Sequence, residues 1–250
     1  MLRTLKRLTG KKKQVATAQS PMPIGLAPET EDIFRRVHPY TMTSAERIEA
    51  LCNAVDYVCS AGIAGDVAEC GVWRGGSMMA AALRLLANNS NGRGLYLYDT
   101  FDGMSEPTEK DVDHTGNAAQ DLMQQDSFDR EDSRSIWCVS RLEEVRSNLA
   151  STGYPEDRMQ FVKGRVEETI PRTIPDRISI LRLDTDWYES TRHELEHLYP
   201  RLVDGGVLII DDYGHWQGCR RAVDEYFENS AKPILLNRID YTGRIAVKVA

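Results

Sequence analysis

"GDVAECGVWRGGSMMAAALRLLANN", Gly65 to Asn89, decides the fold. It opens as a short apolar strand, passes through a glycine-bearing turn, and continues as a helix rich in Met, Ala and Leu. A strand that feeds a helix through a tight turn is the unit of a parallel sheet with crossover helices. The chain repeats this order. "GLYLYDTFDGM" holds a second strand, Leu95 to Tyr98, ending in Asp99, and "MQFVKGRVEETIP" a third strand and turn. "RISILRLDTDWYEST" is a fourth strand followed by the helix "STRHELEHLYPRL", and "GGVLIIDDYGHW" a fifth followed by "GCRRAVDEYFEN". Upstream, "TMTSAERIEALCNAVDYVCSAG" reads as a helix capped by Thr43 or Ser44 and stopped at Gly62. "SRLEEVRSNLASTG" is another helix. The closing "PILLNRIDYTGRIAVKV" has two strands and no helix between them, so its last pair is expected to be antiparallel. The expected fold is α/β: a doubly wound, mostly parallel sheet with an antiparallel last strand.

The 250 residues are 41% apolar, enough for one substantial core. A net charge of −7 argues against a nucleic-acid partner, which calls for surplus Lys and Arg. The exception is "MLRTLKRLTGKKK", with six basic residues and no acid. It lacks the apolar core of a secretory leader and reads as a mobile basic arm, or as a weak contact to an anionic surface. Residues 14–30, rich in Pro, Ala, Thr and Gln, read as a linker to one domain over 31–250. No apolar run of membrane-spanning length occurs. Five scattered cysteines, with no CxxC and no zinc spacing, suggest a reduced, cytoplasmic chain.

Ligands of such sheets bind beyond the carboxyl ends of the strands. There, in "ECGVWRGGS", Gly71 permits a sharp turn and a close approach. Gly75, Gly76 and Ser77 open a helix whose free N–H groups suit an anion. The spacing is not GxGxxG, and Glu69 would repel a diphosphate but accept from an ammonium group. An amino-acid ligand fits better, against the bland alternative of simple packing. Asp99 is placed to accept from two ribose hydroxyls, or else to cap a turn. Amino acid plus ribose in one cleft suggests S-adenosylmethionine.

Asp184 and Asp186 end the fourth strand, and Asp211 and Asp212 the fifth. On neighbouring parallel strands all four converge, and such a group does not stay ionised unaided. A hard divalent cation such as Mg²⁺ resolves this, and solvated strand-end caps are the alternative. Two residues apart on an extended strand, Asp184 and Asp186 are expected on one face, one for metal and one for a substrate proton. Trp187, Tyr188, Tyr213 and Trp216 flank the acids as sugar platforms or as core. His215 is a substrate contact, a base or a structural hydrogen-bonder.

"YTMTS", "ECGVWRGGSMM", "YDTFDGM", "LRLDTDWYEST" and "IIDDYGHWQGCRRAVDEYF" together resemble the macrocin O-methyltransferase family, over roughly Tyr40 to Phe227. Its members methylate deoxysugar hydroxyls of antibiotics. The resemblance implies a class I methyltransferase fold with a seven-stranded, Rossmann-like sheet, S-adenosylmethionine as donor, and Mg²⁺. It implies Asp184, Asp211 and Asp212 as metal ligands and Asp186 as general base. Tyr40, Thr41 and Met42 would cover the donor, Glu69, Gly71 and Ser77 hold its methionine part, and Asp99 and Phe101 its ribose. Gly164 and Glu167 would lie near adenine, and residues 103–136 would form a lid over the acceptor. Trp187, Tyr188 and His215 are the candidate acceptor contacts.

The expected reaction is methyl transfer to a sugar hydroxyl of a glycosylated natural product, polysaccharide or glycolipid, in a homo-oligomer with no membrane insertion. A phenol or catechol acceptor, a metal-dependent hydrolase using the same acids, and a non-catalytic donor-binding scaffold are the rivals.

Overall fold

In the computed structural model, residues 25–250 are described, so the basic arm and most of the linker lie outside the described residues. The five apolar runs form parallel strands β1 (Asp66–Cys70), β2 (Leu95–Asp99), β3 (Met159–Lys163), β4 (Ile178–Leu183) and β5 (Leu202–Ile210). β7 (Arg244–Val247) runs antiparallel to β5, and the two-residue β6 (Asn237–Arg238) closes the edge against it. The seven-stranded sheet has the order β3-β2-β1-β4-β5-β7-β6. Strand order reverses between β1 and β4, which places the ligand crevice at their carboxyl ends.

Side-chain alternation divides the core in two. Val67, Leu97, Ile180 and Ile209 face one layer, with α2 (Ala45–Ser60), α3 (Gly76–Ala87) and α5 (Leu142–Ala150). Ala68, Tyr98, Leu181 and Leu208 face the other, with α7 (Tyr188–Leu198) and α8 (Gln217–Glu228). All six residues of the central β4 are buried, as a parallel strand covered on both faces requires. Ser44, rather than Thr43, caps α2, accepting from the Arg47 N–H at 3.2 Å.

Two segments hold elements that the sequence reading did not place. The end of the linker is α1 (Pro28–Val37), which buries Ile33 and Val37 against the first core layer. Residues 103–136 contain the short α4 (Ala119–Gln125) and turns pinned by buried acids. Asp111 accepts from the Tyr188 N–H at 2.8 Å, and Asp113 from Thr115 and Asn117. The missing Cβ of Gly218 makes room for Asp111, whose Oδ1 would lie 2.2 Å from it.

Candidate active site

Beyond the carboxyl ends of the strands lies a cleft of about 350 Å³, of the size that takes a small molecule. Tyr40, Thr41 and Met42 form one wall, with Gly71 and Ser77 at the first turn. A Cβ on Gly76 would sit 2.6 Å from both the Tyr40 carbonyl and Thr41, so the "YTMTS" segment rests directly on the start of α3. Asp99, Gly164 and Glu167 also line the cleft.

Gly71 has φ +81°, and a Cβ there would lie 1.8 Å from the Asp184 carbonyl oxygen. The close approach it permits is therefore that of the β4 end, by backbone. Asp99 is half-buried, and Oδ2 accepts from Val72 and Trp73 N–H at 2.7 and 3.0 Å while Oδ1 accepts from Phe101 N–H at 2.7 Å. It anchors two turns and keeps acceptor capacity for about one further hydroxyl, not two. Phe101 does not line the cleft: its ring is buried beside Phe161, 6.4 Å between centroids. Glu69 does not line it either. Glu69 is 1% exposed, and its Oε1 accepts from Arg182 at 2.6 Å.

All four aspartates reach the cleft, but they divide. Asp184, Asp186 and Asp212 bring one carboxylate oxygen each to within 4.8 Å of the others. β4 ends at Leu183 and Asp186 has φ +65°, so a left-handed turn, not strand alternation, makes Asp184 and Asp186 converge. Asp211 is turned away from this group. Its Oδ1 accepts from Arg182 and its Oδ2 from Arg47. Arg182 also donates to Asp184 Oδ2 at 2.6 Å and to Thr43 Oγ1 at 3.1 Å, which makes it the centre of a buried charge network.

Burial, reinforced by Asp184, pushes the Asp186 carboxyl up to about 7. Burial and the neighbouring acids raise Asp212 well above the carboxylate range. Asp211 rises only to about 6, because Arg182 and Arg47 oppose its burial. Asp212 Oδ2 is buried with no hydrogen-bond partner. An orphaned carboxylate oxygen beside two further carboxylates fits a hard dication with oxygen ligands.

The expected acceptor contacts separate as well. Trp187 and Tyr188 do not line the cleft. Trp187 is buried edge-on against Trp216, and its Nε1–H donates to the Ser105 carbonyl at 3.0 Å. The Tyr188 hydroxyl donates to Glu225 at 2.6 Å, and the Lys110 ammonium lies 3.7 Å from its ring centroid. Both therefore tie residues 103–136 to α7 and α8. His215 does line the cleft, with Trp216 and Tyr241, and its Nδ1 is 3.2 Å from the Tyr241 hydroxyl. Burial, helped by His114, holds its pKa below the usual histidine value. A second groove of about 720 Å³ adjoins the cleft at His215 and Trp216.

Arg47, Arg182 and Tyr241 are site residues that sequence reasoning missed. Arg182 carried a signal, since a charge within the apolar run "ISILRL" must meet opposite charge when the strand is buried.

Among known proteins, residues 5–247 match the model of the macrocin-O-methyltransferase (TylF) family. The chain is 35% identical over 204 residues, 82% of its length and 74% of the relative's, to 8-demethyl-8-(2,3-dimethoxy-alpha-L-rhamnosyl)-tetracenomycin-C 4'-O-methyltransferase of Streptomyces olivaceus. It is also 35% identical over 204 residues, 82% of its length and 76% of the relative's, to mycinamicin III 3''-O-methyltransferase of Micromonospora griseorubida. The solved structure of the O-methyltransferase NovP superposes with a TM-score of 0.72 at 31% identity, covering 84% of this chain and 83% of that one.

Proposed function

The chain belongs to the macrocin-O-methyltransferase family and is an O-methyltransferase, and on that premise we propose that it methylates a sugar hydroxyl of a glycosylated natural product. The donor is S-adenosylmethionine, held between "YTMTS", the first turn and Asp99. The observation that carries the reading is the convergence of Asp184, Asp186 and Asp212 within 4.8 Å, one of them with an orphaned buried oxygen, at the wall of a donor-sized cleft.

Asp184 and Asp212 would hold Mg²⁺, with Asp186 reaching the same point, while Asp211 serves as counter-charge to Arg182 and Arg47. When bound, the cation supplies Lewis-acid help to ionisation of the acceptor hydroxyl. Asp186, near neutral in its proton affinity, takes the hydroxyl proton, a role worth roughly 10²–10⁴-fold. The cleft walls hold donor and acceptor in line and exclude water. The adjoining groove past His215 gives the remainder of a glycoside a place outside the reacting centre. The free thiols Cys52, Cys59, Cys70, Cys138 and Cys219 support a reducing, cytoplasmic setting.

The test is calorimetric Mg²⁺ and donor titration, followed by assay with labelled donor and a panel of rhamnosylated and other deoxysugar glycosides. Asp186→Asn is expected to keep donor binding and lose turnover, and Asp212→Asn to lose Mg²⁺ binding. Near-normal turnover in Asp186→Asn rejects the base role, and full activity in EDTA rejects the metal.

A further inference from the structure

Below the acid edge, on the α7 side, sits a carboxyl that the reaction does not use. Glu194 is fully buried on the face of α7 that also carries Leu195 and Leu198. A carboxyl in such surroundings is costly unless it is held. Its Oε1 accepts from the Thr185 hydroxyl at 2.9 Å, while Oε2 is buried with no hydrogen-bond partner. Burial pushes this group well above the usual carboxylate range.

Thr185 stands between Asp184 and Asp186, in the turn where Asp186 takes φ +65°. A non-glycine residue in the left-handed region costs energy and persists only where its surroundings over-determine it. The supports of this turn can be traced. From the β1 side, the Cβ-free Gly71 lies against the Asp184 carbonyl and the Thr185 nitrogen. Within the turn, the Trp187 N–H donates to the Thr185 carbonyl at 2.7 Å. From the α7 side, the only side-chain partner of the Thr185 hydroxyl among the described residues is Glu194.

We infer that Glu194 is a positioning residue for the acid edge: by accepting from the Thr185 hydroxyl, it fixes the turn that aims Asp184 and Asp186 at one point. The inference rests on the cation reading given above. Groups that orient ligands from behind typically change metal affinity 10–100-fold when removed. Glu194 does not itself line the cleft, so donor affinity should not follow.

Three variants test this: Glu194→Leu, which removes the acceptor, Thr185→Val, which removes the donor at nearly constant shape, and Glu194→Gln, which restores an acceptor. Mg²⁺ affinity is read by calorimetry on the full chain, beside S-adenosylmethionine affinity and thermal unfolding. Glu194→Leu and Thr185→Val are each expected to weaken Mg²⁺ binding 10–100-fold, with donor affinity within about twofold of wild type. The double variant should be no worse than either single one. Glu194→Gln should recover Mg²⁺ affinity to within about threefold of wild type. If Glu194→Leu does not fold, Thr185→Val and Glu194→Gln decide the matter. Mg²⁺ affinity unchanged in folded Thr185→Val, or additive losses in the double variant, would overturn the positioning role. Wild-type protein that binds no Mg²⁺ would instead overturn the cation reading, a distinct outcome.

Discussion

Arg182→Met keeps the unbranched apolar stem of the side chain and removes the charge at the centre of the acid edge. Arg182 is 3% exposed, with Glu69 and Asp184 both at 2.6 Å and Asp211 on its other nitrogen. Removing one partner of a buried ion pair typically costs about 3–5 kcal/mol, because the other charge stays behind uncompensated. Two features pull this case toward the lower end. Asp211 keeps Arg47, and Glu69, pushed up to about 8 by burial, can hold a proton at neutral pH. A loss of about 3 kcal/mol is expected, a large share of a domain stability of roughly 5–15 kcal/mol, yet compatible with folding. Equilibrium urea unfolding with an unchanged slope measures it. Glu69→Gln, which imitates the protonated carboxyl, is the internal control and is expected to cost less than about 1 kcal/mol. A loss under about 1 kcal/mol in Arg182→Met would refute the view that this guanidinium holds the acid edge together. A Glu69→Gln cost equal to that of Arg182→Met would refute the protonated state of Glu69.

Other perturbations read separate parts of the site. Burial raises Asp186 to about 7 and lifts Asp212 well above the carboxylate range, so protons hold the cluster in acid and a dication bound there would have to displace them. Carboxyls with raised folded-state pKa lose their contribution to stability as pH climbs from about 4 through 7, so the metal-free protein should soften over that range. Mg²⁺ affinity should strengthen over pH 6 to 8, by up to roughly tenfold per unit for one displaced proton, and pH-independent calorimetric affinity would contradict this. Gly71→Ala puts a Cβ 1.8 Å from the Asp184 carbonyl at φ +81°, and is expected to prevent folding or cost more than about 3 kcal/mol by thermal unfolding. Tyr188→Phe removes a 2.6 Å bond to Glu225 and should cost about 0.5–1.5 kcal/mol while leaving the acceptor KM unchanged, since the ring stands outside the cleft. A raised KM there would restore Tyr188 to the acceptor site.

The sheet was legible because burial on both faces leaves apolar runs, and most of β2, β4 and the second half of β5 are such runs. The helix α1 was not, since "PETEDIFRRV" offers few apolar residues in a polar stretch. Its ends were nonetheless written in Pro28 and the early acids, and in the basic Arg35 and Arg36 of the last turn. In the site, residue types were legible and their division was not. Asp211 and Asp212 are neighbours in sequence with the same chemistry. What separates them is Arg47, 164 positions from Asp211, and Arg182, 29 positions from it.

That separation has a physical logic which one line of sequence already contained. Guanidinium groups keep their charge across the working pH range, whereas cations and protons exchange. An acid whose two oxygens both face guanidiniums is already compensated by fixed charge, and Asp211 is that acid. Glu69 shares Arg182 and has no route to the cleft. The carboxylates that remain open are Asp184, Asp186 and Asp212, enough to grip one dication and leave an oxygen for a proton. Arg182 within "ISILRL" therefore implied that one strand-end acid would be spent as its counter-charge. The strand paired beside β4 at that level, β5, supplies it: Arg182 stands in register with Ile209, two residues before Asp211.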